Sequence, residues 1–100
     1  MMTTPLNDAE IIERLQRLDG WVHDGDYLKK TFKLDTYLAG LALATAIGTI
    51  CEGMNHHPDM TIGWRKVEVS FTTHDAGNKL SARDFQAAEK IDALGYPRPA

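Results

Sequence analysis

Apolar residues along the 100-residue chain recur at helical spacing, then alternate, then recur again, and the switches between the two periods mark its elements. From Asn7 onward, Ile11 or Ile12, Leu15 and Leu18 fall on one helical face. Asn7 with Glu10 three residues later has the form of a capping box, and Asp19 with Gly20 stops the helix. Residues 21–23 then read as a short strand. Asp24 and Gly25 predict a two-residue hairpin turn into a second strand over 27–34. In that strand Leu28, Phe32 and Leu34 share one face, and Tyr27, Lys29, Thr31 and Lys33 share the other. Lys30 interrupts the apolar side.

Asp35 is the predicted N-cap of a long second helix that carries Leu38, Leu41, Ala42, Thr45, Ile47, Gly48 and Cys51 towards Glu52 and His56. Its small residues permit close packing on a sheet. Met60, Ile62 and Trp64 alternate over a third strand, and Val67, Val69 and Phe71 over a fourth. The short connection pairs these two as a hairpin. Ser81 with Asp84 caps a last helix packed by Phe85, Ala88 and Ile91 and ended by Gly95, and Pro97 and Pro99 mark a frayed tail. The order helix, hairpin, helix, hairpin, helix predicts one α+β domain over residues 1–100, a four-stranded antiparallel sheet with three helices packed on one face.

Composition narrows the function classes. An apolar fraction of 43% and a charged fraction of 25% are those of a soluble globular domain. The net charge of −3, with no basic run interleaved with aromatics, points away from direct nucleic-acid binding. The most apolar stretch, 37–51, is too short for a membrane span, and no basic segment followed by an apolar one opens the chain. Cys51 has no second cysteine to pair with, so a reducing, cytoplasmic setting is expected.

The chemistry concentrates in EGMNHHPDM, residues 52–60. Glu52 lies four residues before His56, so a helix reaching that far puts carboxylate and imidazole on one face. Pro58 disfavours helical backbone at His57, which sends the second imidazole elsewhere. His74 stands at the end of the fourth strand, and the hairpin returns it to the corner that His56 and His57 occupy. His23 reads as a histidine of no special role. Three histidines can make a zinc site with an open position. Adjacent histidines leaving a helix are poorly placed to aim at one ion, however, and the spacing signatures of zinc enzymes are missing, so no metal is expected. Acid–base work needs only imidazoles near neutrality, an orienting carboxylate and an apolar wall.

The motif residues Glu52, Asn55, His56-His57-Pro58, Trp64, Lys66-Val67, Thr73-His74 and Arg83-Asp84-Phe85 resemble those of the pterin-4a-carbinolamine dehydratase family, also called 4a-hydroxytetrahydrobiopterin dehydratase. The match runs without gaps from Glu52 to Gly77. Met60 stands where an aromatic residue commonly follows the histidine motif, and the loop at Asn78 and Lys79 is one residue longer than usual. The resemblance implies dehydration of the 4a-hydroxytetrahydropterin left by an aromatic amino acid hydroxylase, with no cofactor, in a homodimer or homotetramer. It implies His56 and His74 as the acid–base pair, and His57 as a pterin-holding residue that shares in proton transfer. It further implies substrate contacts at Asn55, Thr72, Thr73 and Asp75, with Glu52 as the supporting carboxylate. The rival implication is a non-catalytic dimerisation or assembly module, since members of the family also partner a transcription factor and the fold serves in assembly factors.

Overall fold

In a computed structural model, which describes residues 3–97, helix α1 spans Asp8–Leu15, strands β1 and β2 Val22–Asp24 and Tyr27–Lys33, and helix α2 Tyr37–Met54. Strands β3 and β4 span Asp59–Gly63 and Lys66–Phe71, a single 3-10 turn covers His74–Ala76, and helix α3 spans Ala82–Asp92. The four strands form one antiparallel sheet in the order β1-β2-β4-β3. This is the predicted α+β architecture of four strands and three helices. Pro99 of the expected tail lies outside the described residues.

Register decides which side of the sheet is core. Leu28 pairs with Phe71, Phe32 with Val67, and Met60 with Val69, so the inward positions of three strands line up. Leu28, Val67, Val69 and Phe71 are fully buried there, against Leu43, Ile47 and Cys51 of α2 and Phe85, Ala88 and Ile91 of α3. The opposite face carries Lys29, Thr31, Lys33, Lys66 and Glu68. Lys30 is the exception on the apolar side, and its surroundings explain it. Nζ lies 3.1 Å from Asp92 Oδ1 and 2.9 Å from the Asp19 carbonyl, above the Phe32 ring at 4.8 Å, and Trp21 Nε1 donates to the same carboxylate. A cation so paired crosses an apolar edge at little cost.

Local signals fared best where they were satisfied by neighbours in sequence. The Asn7–Glu10 and Ser81–Asp84 capping boxes both form. Four expectations shift. Helix α1 ends at Leu15, and 16–20 continue as turns. The first hairpin turns on Gly25 and Asp26, because Asp24 already pairs with Tyr27. The positive φ of Gly25 suits the first central position of a type II′ turn. Thr36, not Asp35, caps α2, its Oγ1 accepting from the Ala39 amide at 3.0 Å. Trp64 falls in the β3–β4 turn and is 74% exposed.

The buried face of α2 is Gly40, Leu43, Ala44, Ile47 and Cys51, whereas Leu38, Ala42 and Thr45 are exposed. Gly40 packs directly on the sheet, where a Cβ would lie 3.4 Å from Val67 Cγ2 of β4. By length and composition α2 could cross a membrane, yet these five residues make it a core helix of the sheet.

Candidate active site

The end of α2 sets the site. Asn55 adopts left-handed backbone (φ 52°), its amide donates to the Glu52 carbonyl, and the amide of His56 donates to the carbonyl of Cys51 five residues back. These two bonds close the helix as a Schellman turn, with the short polar side chain of asparagine tolerating the αL position. The helix therefore stops before either histidine. The expected Glu52–His56 pairing along a helical face does not form, because the αL residue swings His56 inward and carries His57 back over the helix end. Glu52 Oε1 lies 2.6 Å from His57 Nε2 instead, and both side chains are largely exposed.

His56 goes inside. Its ring stacks on Phe71 at 5.6 Å with planes 7° apart, and Nε2 lies 2.6 Å from Asp84 Oδ1. Asp84 is wholly buried, and its second oxygen accepts from Thr73 Oγ1 (2.7 Å) and from the amide of Ser81 (2.9 Å). The acid of the α3 capping box is thus also the acceptor for a buried imidazole, at a helix N-terminus that favours negative charge. A carboxylate can only accept, so Nε2 of His56 carries a hydrogen and, in the neutral ring, Nδ1 holds the lone pair. The residue next to Asp84 holds the same corner: Arg83 Nη2 donates to the carbonyl of Asn55 at 2.6 Å. Two neighbours at the start of α3 so grip two neighbours at the end of α2.

The β3–β4 hairpin supplies the other wall. With Asp59 paired to Ser70, the chain before β3 runs beside the chain after β4, and His57 meets Thr72 to His74. Asn55, His56, His57, Thr72, Thr73, His74, Asp75 and Arg83 line one cavity of about 230 Å³. All three candidate histidines and all four candidate substrate contacts are therefore together, while Glu52 stands outside behind His57. His74 Nδ1 lies 2.8 Å from Asn78 Oδ1. Thr72 Oγ1 is buried and has no hydrogen-bond partner among the described residues. Among those residues no three His, Cys, Asp or Glu side chains are grouped as metal ligands. A larger hollow of about 370 Å³ lies at Lys30 and Asp92, whose charges are already paired with each other.

Arg83, Asp84 and Asn78 are the residues that sequence reasoning did not bring to the site. Asp84 reads locally as a cap, and only the docking of α3 against α2 reveals its second partner, 28 positions away. For Asn78 the sequence offered the expected departure of the loop at Asn78 and Lys79 from the family pattern, without a reason for it.

Residues 4–94 match the family model described as pterin 4 alpha carbinolamine dehydratase. The chain belongs to that family. A relative in Roseiflexus sp. (strain RS-1) is 45% identical over 93% of this chain and 99% of its own length. One in Natronomonas pharaonis is 45% identical over 93% and 98%. Both bear provisional pterin-4-alpha-carbinolamine dehydratase names. Among solved structures, a transcriptional coactivator/pterin dehydratase from Brucella melitensis superposes with a TM-score of 0.84 at 27% identity, over 91% of this chain and 98% of the other. A pterin dehydratase-like protein identified as a RuBisCO assembly factor of the alpha-carboxysome shares the fold, with a TM-score of 0.66 at 22% identity over 78% and 92%. Every residue lining the histidine cavity lies inside the carbinolamine dehydratase match.

Proposed function

We propose that the protein dehydrates a 4a-hydroxytetrahydropterin to the quinonoid dihydropterin and water by histidine acid–base catalysis, as a step of tetrahydropterin recycling downstream of an aromatic amino acid hydroxylase. The observation that carries this reading is the convergence of His56, His57 and His74 on one cavity, each ring tied through one nitrogen and left with the other. The chemistry asks for two proton movements. One imidazolium donates to the C4a hydroxyl, which leaves as water when the C4a–O bond breaks. One neutral imidazole takes the N5 proton as the N5 lone pair forms the C4a=N5 bond. His56 and His74 are assigned to these transfers. His57, on the exposed rim with Glu52 behind it, holds the pterin and shares in proton transfer.

Asn55, Thr72, Thr73 and Asp75 are proposed as substrate contacts. The unpartnered Thr72 hydroxyl supports this, because a buried hydroxyl without a partner costs about 1–3 kcal/mol that a ligand atom can recover. The cavity is below the ~300–1,000 Å³ usual for drug-sized ligands, which suits a fused bicyclic ring whose side chain stays outside. No cofactor enters the step, and the free, buried Cys51 fits a reducing cytoplasm.

The test is the dehydration rate of the 4a-hydroxytetrahydropterin with purified protein, with and without chelator, against the uncatalysed background. Chelator-insensitive acceleration is expected. His56→Ala and His74→Ala are each expected to lower it by roughly 10²-fold or more with unchanged circular dichroism. Folded variants with undiminished turnover would refute the assignment. A well-folded wild type with no acceleration favours the second reading, a non-catalytic dimerisation or assembly module of the same fold. The exposed apolar side of α2 speaks for that reading, as it does for self-association into a homodimer or homotetramer.

A further inference from the structure

The three imidazoles differ in the kind of group that holds them. His56 and His57 each set Nε2 against a carboxylate, Asp84 and Glu52, at 2.6 Å. His74 instead sets Nδ1 2.8 Å from the side-chain oxygen of Asn78, four residues on. An amide oxygen accepts and cannot donate, so Nδ1 carries the hydrogen and, in the neutral ring, the lone pair resides on Nε2. For His56 and His57 the same reasoning puts the hydrogen on Nε2. His74 is therefore the one member of the trio held as the opposite tautomer.

The loop is shaped to do this. Gly77 and Asn78 both take left-handed backbone, with φ of 74° and 60°, which curls the chain back over His74. The Asn78 amide donates to the Thr73 carbonyl at 3.1 Å, and the Thr73 amide donates to the Lys79 carbonyl at 3.1 Å, closing the loop on the strand end. Asparagine meets two demands at once, tolerating positive φ and reaching back with a short acceptor.

We propose that Asn78 is a positioning residue for His74: it pins the hydrogen on Nδ1, fixes the ring, and so presents Nε2 as the nitrogen that exchanges protons in the cavity. The role in turnover rests on the dehydratase reading above, whereas the tautomer does not. Asn78→Gly is the informative variant, because glycine keeps the left-handed backbone and removes only the amide. Long-range ¹H–¹⁵N NMR of ¹⁵N-histidine-labelled protein, at a pH where the rings are neutral and with His74→Ala for assignment, reads the tautomer directly. The wild type is expected to show His74 as Nδ1–H. Asn78→Gly is expected to shift it to Nε2–H and lower kcat about tenfold, with KM within about twofold. Asn78→Asp keeps an acceptor and is expected to restore the Nδ1–H form. An Nε2–H tautomer in the wild type overturns the proposal, and so does an Asn78→Gly protein with unchanged tautomer or turnover. Absence of dehydration by the wild type would overturn the functional reading alone, and the NMR result would still decide the tautomer.

Discussion

A carboxylate accepts hydrogen bonds on both oxygens, and a carboxamide on only one. Asp84 uses both, with His56 on one side and Thr73 and the Ser81 amide on the other. Asp84→Asn must therefore turn an N–H either towards the His56 N–H or towards two donors of the α3 cap. A broken network at a fully buried position is expected to cost about 2–4 kcal/mol in urea unfolding. It should also lower turnover by more than tenfold through the wrong His56 tautomer or ring position. A variant within 1 kcal/mol of wild type and equally active would show that Asp84 does no more than cap the helix. At this scale the sequence was legible for what sits close along the chain: the paired histidines, and His74 returned by a short hairpin. The partners of those histidines were not. Glu52 was matched to His56 on helical spacing, and one left-handed residue, Asn55, moved it to His57.

Elements were legible where their ends are decided locally, as the two capping boxes show. Faces were less so, because α2 is apolar on nearly every side and its periodicity names no buried stripe. Contact decides it, through Gly40 on β4 and through Cys51 in the core. Burial pushes the Cys51 thiol up from its ordinary 9.0 to about 11. The folded protein thus holds that proton more tightly than the unfolded chain. Its contribution is complete below pH 9 and is lost as pH rises through 11, falling by roughly 2–3 kcal/mol in all. Other groups titrate in that window, so the measurement is a difference. The gap in unfolding free energy between wild type and Cys51→Ala is expected to narrow from pH 9 to 11. Parallel curves would mean that α2 does not seal the thiol from water.

For the molecule as a whole, hairpin pairing was legible and strand order was not, since β2 meets β4 only because α2 crosses between them. What α2 leaves outside bears on assembly. Leu38 is 73% exposed, Ala42, Thr45 and Thr49 are exposed, and no charged residue lies between positions 37 and 51. The hydroxyls of Thr45 and Thr49 donate back to the carbonyls of Leu41 and Thr45 at 3.0 and 2.8 Å, so both donors are satisfied within the helix. Leu94 and Tyr96, both part-exposed, flank Ala42 and Ala46 and widen the strip. A second copy of the same helix is a matched cover, as isologous contacts require. Leu38→Glu with Thr45→Glu places two carboxylates on the strip without touching the core. Sedimentation velocity at micromolar concentration is expected to show a dimer or tetramer for the wild type and a monomer for the double variant. A monomeric wild type would remove the strip from assembly. His56, His57 and His74 meet within one chain, so the monomeric variant is expected to keep its turnover within about twofold. A larger loss would mean that a neighbouring subunit completes the site.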